Sequence, residues 1–373
     1  MNEWTTVTLG NFLEIKHGYA FPGNGITDSA TTNILVTPGN FNIGGGFKTT
    51  KYKYFKGDFP KEYILNAGDI VVTMTDLSQE TDTLGFSAKI PSNKSFLYLH
   101  NQRIGLVLLK SDYVSKEFLY WLMRTTNYQS FIVSSASGTS IMHTSPSRIK
   151  EYTFKLPPLP EQESIAEVLS SLDDKIDLLQ HQNKTLEALA ETLYRKWFVE
   201  KADDSWEEGL LSDFVDIKYG KDHQKLSEGN IPVFGSGGLM RKVNKSLYEK
   251  ESVLIPRKGT LSNILFVDEP FWTVDTMFYT VMKRENISKF VYQTVKSLDL
   301  ASMNVGSAVP SMTTEILNNL PIRIPTESIL DKFEKQTSIM YLKLKANLKQ
   351  IKQLETLRDT LLPKLMSGTV RVN

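Results

Sequence analysis

The 373-residue sequence contains no cysteine, which excludes disulfides and thiolate metal sites and suits a reducing compartment. It also has no apolar run of the ~18 residues that a membrane-spanning helix requires. The opening stretch MNEWTTVTLGNFLEI lacks the basic-then-apolar profile of a signal peptide. A cytoplasmic protein with no membrane partner is therefore expected. An excess of charge of one sign is missing too. The formal net charge is +1, so no global basic field draws the chain to nucleic acid, and any such reading rests on local patches.

Reaction motifs are equally scarce. GGGFKTT at 44–50 falls short of a phosphate-binding loop because it lacks the Gly-Lys step. There is no strand followed by GxGxxG. The histidines His17, His100, His143, His181 and His223 are scattered without ligand spacing, so no metal site is expected. No Asn/Asp-Pro-Pro-aromatic run is present to hold a flipped base for amino methylation, and the acids and serines form no triad by spacing. The sequence offers no reaction centre.

What is present is helix. LPPLPEQESIAEVLSSLDDKI at 156–176 places Pro160 where a first helical residue needs no N–H donor, with Glu161 and Glu163 near the positive end of the helix dipole. An apolar stripe follows at Ile165, Leu169, Leu172, Ile176, Leu179, Asn183, Leu186, Ala190, Leu193 and Trp197. Its steps alternate four and three, a heptad seam, on a helix roughly 60 Å long. A second seam begins after Thr326, a candidate N-cap. It runs through Leu330, Phe333, Thr337, Met340, Leu344, Asn347, Ile351, Leu354, Arg358 and Leu361. Pro363 is expected to end or kink this helix and Gly368 to stop it. Each seam carries one asparagine near its middle, fixing register if buried and meaning little if it faces water. Residues 156–202 hold five Lys/Arg against nine Asp/Glu, whereas residues 326–373 hold nine against five. Opposite charge favours pairing of the two helices with each other.

The similarity extends to the whole chain. WTTVTLGNFLEIKHG (4–18) matches WEEGLLSDFVDIKYG (206–220). NQRIGLVLL (101–109) falls opposite DTMFYTVMK (275–283), EFLYWLMR (117–124) opposite KFVYQTVK (289–296), and residues 137–157 opposite 305–325. This long-period repeat divides the chain into a head at 1–155, a spacer helix at 156–201, a shorter head at 202–325, and a second helix with a C-terminal tail at 326–373. Antiparallel pairing of the helices would place two α+β heads about a pseudo-two-fold axis. Within the heads, DIVVTM, RIGLVLL, SVLIP, NILFV and MFYTVM read as strands, with helices expected at 115–133 and near 287–298.

Local basic loops are the candidate sites. FKTTKYKYFKGD (47–58) interleaves Lys48, Lys51, Lys53 and Lys56 with Tyr52, Tyr54 and Phe55, which suits phosphates and bases and equally suits an edge strand guarded by lysines. IPRKGT (255–260) presents Arg257 and Lys258 at a Gly259 turn, either to DNA or simply to water. Asn101, Gln102 and Arg103, then Arg241 and Lys242, are further candidates, as are the small-residue loops SASGTS (135–140) and VGSAVPS (305–311).

Taken together, the chain resembles the specificity subunits of type I restriction–modification systems over nearly its full length. The resemblance rests on LPPLPEQESIAEVLSSLDDKIDLLQHQNKTLEALAETLYRKWF, on LKQIKQLETLRDTLLPKLMSG and on the two W…L..F..IK.G starts. The second proline device is eroded to IPTE. The resemblance implies two target recognition domains, each reading one half of a bipartite double-stranded DNA site. It implies that the helices set the unread spacer and dock two modification subunits, which carry S-adenosylmethionine and methylate adenine. It also implies restriction subunits, which use ATP and Mg, and no cofactor on this chain itself. Two other readings remain: a non-catalytic coiled-coil scaffold with two protein-binding heads, and an enzyme whose site is not recognisable in sequence.

Overall fold

In the computed structural model, which describes residues 4–76, 78, 80–138, 141–303 and 310–372, the chain forms two units. One comprises residues 1–177 and 351–373, the other residues 178–350. Each therefore contains one head and a stretch of both long helices.

In the first unit the repeat start, Thr5–Thr8, pairs antiparallel with Thr153–Leu156, so the head begins and ends on the same two-stranded ladder. A four-stranded antiparallel sheet follows in the order Leu13–His17, Ile104–Leu109, Ile70–Thr73, Ser87–Lys89. Its apolar residues pack with the helix Lys116–Leu122 in one core that includes Leu13, Ile70, Phe118 and Trp121, together with Ile165 and Leu169 of the first long helix. A five-stranded sheet (Ile26–Thr27, Lys53–Phe55, Asn33–Val36, Leu97–His100, Ile64–Leu65) contains one parallel pair, Asn33–Val36 with Leu97–His100. The helix expected at 115–133 is broken. It stops at Leu122 and restarts at Thr126, because the Thr125 side chain caps a new N-terminus by accepting from the Tyr128 N–H.

The second unit repeats this plan with less chain. Glu207–Leu210 pairs with Pro321–Ile324, and a four-stranded sheet runs Val215–Tyr219, Met277–Met282, Ser252–Pro256, Leu265–Val267. The second sheet has only three strands, Gly238–Val243, Ile231–Gly235 and Trp272–Thr273, the last two parallel. The helix is Ser288–Ser297.

Strand pairing corrects the alignment of the two heads by one residue. Gly18 approaches the backbone so closely that a Cβ there would lie 2.1 Å from the Asn101 carbonyl oxygen; at Gly220 the corresponding contact is Val274 O at 2.0 Å. The Tyr19 N–H donates to His100 O, and the Lys221 N–H to Thr273 O. Asn101 is thus the counterpart of Val274, not of Asp275. Likewise the Thr144 N–H donates to Met74 O and the Met312 N–H to Arg257 O. Arg257 and Lys258 therefore correspond to Met74 and Thr75.

The long helices span Leu159–Tyr194, continuing as a π-helical turn at Arg195–Glu200, and Glu327–Met366. They run antiparallel within each unit. In the first, Asp173 meets Arg358. In the second, Asn183 meets Asn347 and Tyr194 meets Phe333. Ile165, Leu169, Ile176, Leu179 and Asn183 are buried, as are Leu344, Asn347 and Ile351, while Leu172, Leu186, Met340 and Leu354 are half-buried. At the ends the seam departs from its heptad. Leu193 and Trp197 are half-buried, and Tyr194 and Phe198, one position on, fill the second head's core beside Phe290. The stripe there steps by four residues twice from Ala190 as the helix enters its wider π turn. In the same way Leu361 gives way to Leu362 and Leu365 in the first core. Pro363 does not end the helix. Near the C-terminus it forfeits a single backbone bond, while Leu362 and Leu365 are buried on either side of it. Gly368, at φ +72°, makes the stop.

Candidate nucleic-acid interface

Each head has a cleft where its parallel strand pair ends. In the first it measures about 540 Å³, lined by Pro38, Gly39, Asn42, Lys48, Asp76 and Asp82 among others. In the second it measures about 430 Å³, lined by Asp222, His223, Ser236, Gly237, Asp275 and Thr276 among others. Val36 and Phe234 occupy equivalent places in the parallel pairs, opposite His100 and Thr273. Pro38 and Gly39 thus correspond to Ser236 and Gly237. Two heads of different sequence have opened a concave surface at the same topological point, where loops leave adjacent parallel strands.

The first cleft is rigidly walled. The Lys48 N–H donates to Asn40 O at 2.7 Å, and the Thr37 N–H donates to Asn40 Oδ1 at 2.9 Å. Asp76 Oδ2 accepts from the Thr83 N–H and hydroxyl, and Oδ1 from the Ser78 N–H, each at 2.7 Å. Burial works to raise the Asp76 carboxyl, but these hydrogen bonds outweigh it and hold the group below its ordinary value. Lys48 and Lys51 are exposed. Lys53 is exposed as well and is paired with Asp28 at 2.6 Å. Its strand lies inside the sheet between Ile26–Thr27 and Asn33–Val36, so the segment is no edge strand. Lys48, Lys51, Lys53 and Lys56 are exposed, whereas Phe55 is buried beside Phe21 and Tyr52 packs near Tyr54 and Phe96. Burial pushes the Tyr52 phenol well above its ordinary value. Tyr52 and Phe55 are thus turned into the head, while the lysines remain available.

The other candidates separate in the same way. Asn101 is buried, with its Oδ1 accepting from the Arg103 N–H at 3.0 Å, so it shapes a turn. Gln102 and Arg103 are exposed on that turn. Arg241 is occupied by the protein's own loop: it donates to His223 O at 2.5 Å, Leu226 O at 2.9 Å and His223 Nδ1 at 3.1 Å. Lys242 is exposed. Neither Asn101 nor Arg241 is a free, outward-reaching side chain. Arg257 donates to Asp275 O at 2.8 Å and lies over the Tyr219 ring at 5.5 Å, so it sits at the rim of the second cleft, half-exposed. Lys258 is exposed at the expected turn, with Gly259 at φ +88°. Residues 139–140 of SASGTS and 305–309 of VGSAVPS lie outside the described residues.

The family model described as the type I restriction modification DNA specificity domain matches residues 1–188 and again residues 203–350. The chain belongs to this family. It is 25% identical over 308 residues to the type I restriction enzyme MjaIX specificity subunit of Methanocaldococcus jannaschii, covering 71% of each chain. It is 24% identical over 390 residues to the putative type I specificity subunit S.MgeORF438P of Mycoplasma genitalium, covering 97% of this chain and 93% of that one. The crystal structure of a type I system S subunit from M. genitalium has the same fold, with a TM-score of 0.65 at 21% identity, covering 97% of this chain and 96% of that one. Among the described residues no helix is long and apolar enough to cross a membrane.

In this specificity chain the sequence reading missed the polar anchors between heads and helices. Gln162, in the proline device, is buried. Its Oε1 accepts from the Ser115 N–H at 2.8 Å and its Nε2 donates to Pro157 O at 2.8 Å, locking the helix start onto the head. Arg124 donates to Asp173 at 2.5 Å and the Trp121 indole to Ser170 at 2.9 Å. In the second unit Lys289 is buried between Glu251 at 2.7 Å and Glu334 at 2.8 Å. Burial alone would lower its ammonium, but the two carboxylates hold it raised. In sequence the one local sign of such an anchor is Arg124, a cation directly after the apolar run FLYWLM.

Proposed function

We propose that this chain is the non-catalytic DNA-reading subunit of a type I restriction–modification complex. Each head reads one half of a bipartite double-stranded site. The long helices set the unread spacer and dock two modification subunits, which supply S-adenosylmethionine and methylate adenine. Restriction subunits using ATP and Mg join the same complex, and all of this takes place in the cytoplasm. The observation that supports this reading most is the pair of clefts at equivalent strand ends, each with a cation at its rim: the exposed Lys48 in the first head, and in the second the half-exposed Arg257 beside the exposed Lys258. Cations at a rim position a duplex through its phosphates, while a cleft floor of carboxylates, amides and hydroxyls addresses base edges. The two clefts share no side-chain pattern, so the half-sites differ.

The reading is tested by replacing residues 1–155 with the corresponding head of another such subunit and sequencing the methylome of cells carrying the hybrid with its modification partner. One half-site should change and the other persist. A swap that altered both halves would show that reading is shared between heads. A chain with no affinity for DNA in any assembly would favour a protein-binding scaffold.

A further inference from the structure

We infer that Arg124 is a positioning residue for the first head's recognition loop, tying that loop to both long helices; this rests on the reading of the loop as a DNA contact. The loop Asn42–Gly46 forms one wall of the first cleft through Asn42 and Ile43. Its three glycines, Gly44, Gly45 and Gly46, have φ of +80°, +87° and +90°, a run that residues with a Cβ rarely adopt. The loop closes on itself: the Asn42 N–H donates to Gly46 O and the Gly45 N–H to Asn42 O, both at 3.0 Å, while the Gly46 N–H reaches Ser87 O at 2.8 Å. Ile43, at its tip, is exposed.

Arg124 lies directly behind this wall. Its Nε donates to Gly44 O at 3.0 Å. A Cβ on Gly45 would lie 2.7 Å from Arg124 Cγ, so the loop rests on the arginine stem. The guanidinium is sandwiched in place, 4.3 Å from the Trp121 ring and donating to Tyr120 Oη at 2.7 Å. The same Nη1 donates to Asp173 Oδ2 on the first long helix at 2.5 Å, and Asp173 Oδ1 accepts from Arg358 Nη1 on the second at 2.7 Å. A continuous chain of charge-assisted hydrogen bonds thus runs from the loop carbonyl through Arg124 and Asp173 to Arg358, all within the first unit. Buried and planar, the arginine fixes the loop by direction as well as by charge.

Among the described residues the second head lacks this connection. The counterpart of Arg124 is Lys296, which lies at the surface 4.0 Å from Glu191 and over the Tyr292 ring. Its buried anchor, Lys289 with Glu334, engages the helix without a loop carbonyl among its partners. Loosening Arg124 should therefore disturb the first half-site and spare the second, a split that a loss of general stability would not produce.

The test uses the full chain assembled with its modification partner and carrying Arg124→Lys, Asp173→Asn or Gly45→Ala. Lysine keeps charge and stem but cannot donate to Gly44 and Asp173 from two separate nitrogens. Gly45→Ala pushes the loop off the arginine without touching the helices. Methylation rates are compared on the cognate duplex and on duplexes with one base changed in either half-site. Discrimination at one or more bases of the first half-site should fall about tenfold, with second-half discrimination unchanged. Unchanged first-half discrimination in variants that assemble, or an equal loss in both halves, would overturn the inference. If Arg124→Lys fails to assemble, Gly45→Ala decides it by the same comparison. A wild-type complex indifferent to the first half-site would instead remove the reading of the loop as a DNA contact, and the inference with it.

Discussion

Replacing Asn183 with alanine should destabilise the second unit more than replacing Asn347, the residue it pairs with. Asn347 is fully buried. Its Nδ2 donates to Asn183 Oδ1 at 2.9 Å and more weakly to Gln182 Oε1 at 3.4 Å, while its own Oδ1 has no partner among the described residues. Asn183→Ala therefore strands most of a buried amide, at a cost of about 1–3 kcal/mol. Asn347→Ala removes that amide altogether, including the oxygen that is already unsatisfied, and leaves only the less buried Asn183 Oδ1 without a donor. Its cost should be no more than about 1 kcal/mol beyond the lost packing. The double replacement Asn183→Leu with Asn347→Leu restores volume and leaves nothing polar behind, so it should be neutral or stabilising while weakening register selection. Urea unfolding followed by far-UV circular dichroism on the singles and the double gives the cycle directly. A double leucine variant as unstable as the two alanine variants combined, or a costlier Asn347→Ala, would refute the reasoning.

His100 is fully buried and donates through Nε2 to Ile104 O at 2.8 Å; burial pushes its imidazole down to about 4. Its contribution to stability is complete above the unfolded-state value near 6.5 and declines as pH falls towards 4. The first unit should thus lose about 2 kcal/mol between pH 8 and pH 5, and His100→Gln should flatten that dependence in unfolding curves. Lys258→Ala should weaken DNA binding for all sequences and reduce the salt slope by about one, measured on the assembled complex at two salt concentrations. Arg257→Ala should instead relax one base of the second half-site. Gln162→Ala removes three hydrogen bonds at a buried site and should lower the melting temperature by several degrees, since it leaves the part-buried Ser115 N–H without its acceptor at a cost of about 1 kcal/mol on top of the lost packing.

The long helices were legible because a heptad seam is a one-dimensional signal, and each seam carries one asparagine near its middle, with Thr337 and Arg358 as further polar positions in the second. The repeat was legible for the same reason, but its register in the strands was not. A period of two tolerates a one-residue slip until backbone pairing, as at Gly18 with Asn101 and Gly220 with Val274, fixes it. Loop polarity was the least legible. Arg241 and Arg257 look alike in sequence, yet Arg241 is captured by the carbonyls of His223 and Leu226, and that capture depends on how a loop closes. Pro363, expected to end or kink the helix, does not end it, because tertiary burial of Leu362 and Leu365 outweighs local propensity. The Arg124–Asp173–Arg358 chain joins residues far apart in sequence, and no local pattern announces it.

The central claim is that two heads on a helical spacer read two separate half-sites, and methylome sequencing of cells carrying this chain with its modification partner tests it most directly. The account predicts a methylated motif of two different specified halves around an unread gap. It further predicts that inserting four residues in both helices, between Leu179 and Asn183 and near Asn347, lengthens the gap by about two base pairs, given ~1.5 Å per residue and ~3.4 Å per DNA step, and leaves both halves unchanged. A single uninterrupted motif, or a gap that stays the same with methylation retained, would contradict it.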